Sequence, residues 1–181
     1  MIKQLIAVLV FLTASAATGA ATISANPASS NVVLGAVFDL EVIGTGFPVT
    51  QGGGFNLGFD AAVLQVNSVS IDGNVWDFVN DNGVIDNVAG NVSAVLVSAF
   101  PGVGSGDFTV ATIEFLAIGL GSSGIALSEA AANLWGSGGL PISPTFDSSG
   151  QVTVVPVPAG IWLFGSALLA LSGIGRVSTR R

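Results

Sequence analysis

The chain has no histidine, no cysteine and no tyrosine, and its single methionine is the initiator. Cations are almost as scarce: of 181 residues only Lys3, Arg176, Arg180 and Arg181 are basic, so the stretch between Lys3 and Arg176 contains none. All 11 acids lie between Asp39 and Asp147, which gives a body from about Ala21 to Val155 a side-chain charge of −11. Half of the residues are apolar and 8% are charged.

Each absence excludes chemistry. Nucleic-acid binders draw their affinity from Lys and Arg neutralising phosphates, so that class is excluded. Ser-His-Asp, Cys-His and Ser-Lys catalysis lacks its base, a Walker-type loop lacks its lysine, and zinc lacks its usual ligands. Carboxylate-pair hydrolysis, a calcium site, or recognition without reaction stay open. The body of about 135 residues buries roughly two-thirds of its unfolded surface, enough to fold without the disulfides that cysteine would have supplied.

Two apolar runs stand at the ends. Lys3, the run Leu5 to Leu12 and the small residues through Ala20 have the layout of a secretory signal peptide over residues 1–20. The run Ala159 to Gly175 would rise about 25 Å as a helix, just enough to span a bilayer. Arg176, Arg180 and Arg181 directly after it act as a membrane stop and keep that end cytoplasmic, so the acidic body lies on the far side. The chain thus divides into residues 1–20, 21–154 and 155–181.

The last part resembles a known signal. Val155, Pro156, Val157, Pro158 and Ala159, followed by the apolar run and the Arg tail, resemble the PEP-CTERM class of bacterial sorting signals in its VPLPA variant, with Val157 in the place of Leu. The resemblance implies processing by an exosortase, a membrane transpeptidase, in a Gram-negative, exopolysaccharide-producing bacterium. The expected location is export across the inner membrane, a transient anchor, then the cell surface or extracellular matrix.

The body reads as β-structure. Phe38, Leu40 and Val42 alternate with Asp39 and Glu41, and Phe55, Leu57 and Phe59 alternate again. Further runs are Val63 to Ile71, Val92 to Ala99, Phe108 to Ile118, Gly124 to Leu127 and Gln151 to Val155. Eight or nine strands with turn signals about every ten residues predict an all-β sandwich, with Ser128 to Leu134 as a single helical turn. The expected core is Phe38, Leu40, Phe55, Leu57, Phe59, Leu64, Leu96, Ile113, Phe115 and Leu127. Gly52-Gly53-Gly54 is read as relaxed backbone at a strand entrance, with a ligand cradle as the alternative.

The segments Gly35 to Val42, Gly53 to Leu64 and Phe108 to Phe115, with Gly121 and Leu127, resemble the strands of cohesin-like domains in order. The resemblance implies a nine-stranded jelly-roll sandwich related to some carbohydrate-binding modules. Its best-known members bind dockerins, which makes a dockerin-like protein a candidate partner by fold analogy.

Three constellations are candidate sites. Asp39 and Glu41 share a strand face with Cα atoms about 6.6 Å apart, within the range of glycosidase carboxylate pairs, but on the polar side of an alternating strand. Asp77, Asp81 and Asp86, with Asn80, Asn82, Asn87 and Asn91, form the densest oxygen cluster, a calcium site or an Asx-rich turn region; Val79 breaks any EF-hand spacing. Trp76 and Trp135 are candidates for stacking on a polysaccharide, against the alternative of core residues. The tripeptide Asn91-Val92-Ser93 matches a glycosylation acceptor only formally. The expected function is a non-enzymatic exported protein with a structural or adhesive role through protein or polysaccharide contacts. The alternatives are a dockerin-binding module or a carboxylate-dependent glycosidase.

Overall fold

The computed structural model describes residues 20–158 and the helical positions Gly160, Leu163, Ser166 and Leu169. The expected signal peptide up to residue 19, Ala159, most of the apolar C-terminal run and Arg176, Arg180 and Arg181 lie outside the described residues. No helix among the described residues is long and apolar enough to cross a membrane.

The body is built from strands β1 (Thr22–Asn26), β2 (Ser29–Val33), β3 (Val37–Phe47), β4 (Thr50–Gly58), β5 (Leu64–Ser70), β6 (Val84–Asp86), β7 (Asn91–Val103), β8 (Gly106–Ala117), β9 (Gly121–Glu129), β10 (Gly136–Ser137), β11 (Leu140–Pro141), β12 (Thr145–Phe146) and β13 (Gly150–Val155). One sheet has the order β12-β1-β3-β8-β5; the other runs β11-β10-β4-β9-β13-β2, with β7 on β4 and β6 on β7. Residues 27–28 carry the chain from the first sheet to the second. Pro27 has no N–H to give a ladder, so a strand that must change sheets breaks there at little cost. β2 then pairs in parallel with β13, which brings the two ends of the body side by side.

The alternation read from the sequence puts the expected residues inside. Leu40, Phe55, Leu57, Phe59, Leu64, Ile113, Phe115 and Leu127 are buried, and Phe38 packs half-buried with its ring stacked on Phe115 at 5.7 Å. Leu96 is the exception. Ala94 takes a left-handed φ of 55°, and β7 then faces Val95, Val97 and Ala99 inward and Leu96 outward. A bulge of this kind shifts the two-residue alternation by one, which moves every later side chain to the other face. Residues 128–134 also differ from expectation. Strand β9 continues to Glu129, and the chain beyond it makes one turn, closed by Asn133 N–H on the Ala130 carbonyl at 3.2 Å.

Trp76 and Trp135 are both fully buried, so of their two readings the core one holds and the stacking platform does not. Their rings lie 6.3 Å apart at a steep angle, within one cluster with Phe47 and Phe108. Each indole N–H is satisfied by backbone: Trp76 Nε1 donates to the Thr109 carbonyl at 3.0 Å and Trp135 Nε1 to the Gly54 carbonyl at 3.1 Å. The glycine run is therefore neither a strand entrance nor a cradle. It lies within β4, and a Cβ on Gly53 would stand inside the Trp135 ring. Among the described residues no buried side-chain polar atom lacks a partner.

Gly53→Ala should cost about 1–3 kcal/mol through overpacking, read as a lower urea midpoint with altered Trp fluorescence; an unchanged midpoint would mean the indole does not rest on β4. Separately, Asp147, between β12 and β13, accepts the Ser149 N–H at 2.8 Å, and that bond holds its pKa below 3.8 against weak desolvation. A lowered folded pKa stabilises above the unfolded value and is lost as pH falls through the lowered one. The stability difference between wild type and Asp147→Ala should thus be constant from about pH 5 upward and shrink as acidification passes the usual Asp value of 3.8 and goes below it, measured by melting across acid pH.

Candidate functional site

The acidic residues do not converge. Asp39 is exposed on the outer face of the five-stranded sheet, directly opposite Glu114 in the β3–β8 register, and Glu41 accepts a hydrogen bond from Asn26 Nδ2 at 3.1 Å. Of three cavities in the surface, one contains Asp60 as its only carboxylate, one Asp81, and one none. Carboxylate-pair hydrolysis needs two acids flanking a cleft, and none of these three supplies a pair.

The Asx-rich stretch is occupied by its own backbone. Asp77 accepts the Phe100 N–H at 3.0 Å, Asp81 the Gly83 N–H at 2.9 Å, and Asp86 the N–H groups of Val88 and Ala89 at 2.9 Å each. Among the described residues no three acidic side chains come together as metal ligands would. Asn80 accepts the Ser98 N–H at 3.0 Å and donates to the Trp76 carbonyl at 2.6 Å, which ties the loop after β5 to β7. Asn87 does more. Its Oδ1 accepts the Val66 N–H at 2.8 Å and its Nδ2 donates to the Val66 carbonyl at 3.0 Å. One amide side chain thus imitates a neighbouring strand on the open edge of β5 and clasps the two sheets together.

The outer surface of this loop is apolar. Residues 78–81 run beside β7: Phe78 N–H donates to the Ser98 carbonyl at 3.2 Å, Val79 N–H to Ser98 Oγ at 2.9 Å, and Asp81 and Leu96 exchange backbone bonds of 2.9 Å. With their backbones fixed there, Phe78 and Val79 stand 70% and 65% exposed, and Phe100 is 73% exposed. A cavity of about 400 Å³ is lined by Phe78, Val79, Asn80, Asp81, Leu96 and Asn133, among others. Across the same face Asn56 Oδ1 accepts the N–H of the left-handed Ala94 at 2.9 Å, while its Nδ2 donates to the Glu129 carbonyl at 3.0 Å.

Sequence periodicity does not single out Phe78, Val79 or Phe100. The one available signal is an apolar pair, Phe78-Val79, set between Asp77 and Asn80, and its spacing to Val75 and Trp76 fits a strand and a helix equally. Leu96 reads as core by alternation, and the bulge at Ala94 turns it to this face instead.

By sequence the chain matches no protein-family model and no curated protein. By fold it is similar to cohesins. A type I cohesin from Clostridium thermocellum, solved in complex with a dockerin, is 14% identical and superimposes with a TM-score of 0.61 over 76% of this chain and 100% of that one. A non-cellulosomal cohesin from the hyperthermophilic archaeon Archaeoglobus fulgidus is 18% identical, with a TM-score of 0.59 over 80% and 98%. A type I cohesin from Pseudobacteroides cellulosolvens is 16% identical, with a TM-score of 0.59 over 77% and 94%. The body is an all-β sandwich of the cohesin fold.

Asn87→Ala should strand the Val66 N–H and carbonyl at a sheet edge and cost about 1–3 kcal/mol by denaturant titration. Faster amide exchange at Val66 should accompany the loss; unchanged exchange would mean the clasp contributes nothing.

Proposed function

We propose that the chain is a non-catalytic, exported recognition module that binds a protein partner of the dockerin kind on the face formed by Phe78, Val79, Leu96 and Phe100. The observation that carries the reading is the exposure of Phe78 and Val79 at a cavity, on backbone pinned to β7, with Phe100 exposed on β7 itself. The cohesins of matching fold solved with dockerins support it. A polysaccharide partner is less well served, because both tryptophans are buried and the exposed groups mix aromatic with aliphatic side chains. Catalysis is disfavoured by the lack of histidine and by cavities that hold no paired carboxylates.

The ends supply the address. A signal peptide over residues 1–20 exports the body. The motif from Val155 to Ala159, the apolar run and the arginines at 176, 180 and 181 hold it at the membrane until an exosortase sorts it to the surface or matrix, where it has a structural or adhesive role. With no cation between Lys3 and Arg176, the body repels a second copy of itself and attracts a partner whose contact surface is basic.

Dockerin modules from the same organism's secretome, titrated against the protein, test the binding claim. A dockerin should bind, association should slow as salt rises, and Phe78→Ser should remove about 2 kcal/mol of affinity. Binding unaffected by Phe78→Ser and Val79→Ser together would reject this face. Intact mass in strains with and without the exosortase tests the address: loss of the C-terminal segment only in the competent strain is expected.

A further inference from the structure

Among the asparagines of residues 74–87, Asn80 and Asn87 have amides held by the Trp76 and Val66 carbonyls, and Asn74 Nδ2 donates to Asp72 Oδ1 at 2.9 Å. Asn82 is different. It is exposed, no hydrogen bond is made by its side chain among the described residues, and the next residue is Gly83. It lies where the ladder to β7 is interrupted, between the Asp81–Leu96 bridge and the Val84–Ser93 pair. Gly83 has φ +77°, and a Cβ there would collide with the Ser93 carbonyl, so the residue after Asn82 carries no side chain of its own; its N–H donates to Asp81 Oδ1 at 2.9 Å, a bond that opens before the nitrogen attacks.

The geometry points to Asn82 as a self-modification site, at which the native protein converts this asparagine to aspartate and isoaspartate. The Gly83 backbone nitrogen attacks the Asn82 side-chain carbonyl carbon, forming an N–C bond. The Cγ–Nδ2 bond breaks, and Nδ2 departs as ammonia with the proton lost from Gly83. Water then opens the succinimide at either carbonyl, so no oxidant, reductant or cofactor is needed. Asparagine is among the thermolabile residues, and a following glycine removes the main steric obstacle to this attack. The product adds a carboxylate between Asp81 and Asp86 in a body with no cation to offset it. In the isoaspartate form it also lengthens the backbone immediately before β6. The inference does not depend on the binding reading.

The test holds the folded protein at neutral pH and raised temperature beside a urea-unfolded sample. Fragments are made with a protease cutting at acidic residues, since trypsin has no site between Lys3 and Arg176, and sequenced by mass spectrometry. In the folded protein Asn82 should convert several-fold faster than Asn80 or Asn87, with an equal amount of ammonia released. Asn82→Gln should abolish that release. Conversion at Asn82 only in the unfolded sample, or equal conversion at the three asparagines in the folded one, would overturn the assignment.

Discussion

The burial of Trp76 and Trp135 at one end of the sandwich is the contact on which the rest of the surface depends. Each ring is large, fully desolvated and satisfied by one carbonyl, Thr109 for one and Gly54 for the other. Trp76 anchors the loop that follows β5, so that two residues later Phe78 has a fixed backbone and an exposed ring. Trp135 anchors the turn after β9, whose Asn133 donates to the carbonyls of Gly53 and Val97 at 3.2 and 3.3 Å and lines the same cavity. The apolar face is thus a consequence of core packing a few residues away.

Charge shapes the rest. Among residues 20–158 no side-chain ion pair can form, because there is no basic side chain to form one. The carboxylates instead accept backbone N–H groups at turns, as Asp60, Asp72, Asp81, Asp86 and Asp147 all do. An acid used in this way shapes a loop. The same lack of cations leaves repulsion such as Asp39 against Glu114 unrelieved, which the long β3–β8 ladder tolerates in solvent.

Much of the fold is legible in the sequence because alternation is a local property. Leu40, Phe55, Leu57, Ile113 and Phe115 alternate with less buried positions, and a strand with that pattern has one way to face its core. The short strands β1 and β2 are not separable in advance, since Ser, Thr and Asn dilute the pattern and Pro27 divides it. Leu96 is misplaced by alternation because a bulge at an alanine leaves no mark in composition. The candidate site is the least legible part. Exposure of Phe78 is decided by a hydrogen-bonded neighbour, Ser98 of β7, and the role of Asn87 by a strand edge 21 residues before it.

By itself the sequence determined which chemistry is available: a histidine-free, cysteine-free, anionic body cannot bring an imidazole base, a thiolate or a phosphate-binding cation to any site, however it folds. It also determined the strand pattern, because side-chain period follows from backbone geometry. Only the tertiary structure decided which aromatic rings are core and which are surface. Trp76 and Phe78 are two residues apart and both aromatic. One finds the Thr109 carbonyl and a pocket of rings across the sandwich, while the other is held against the outside of β7.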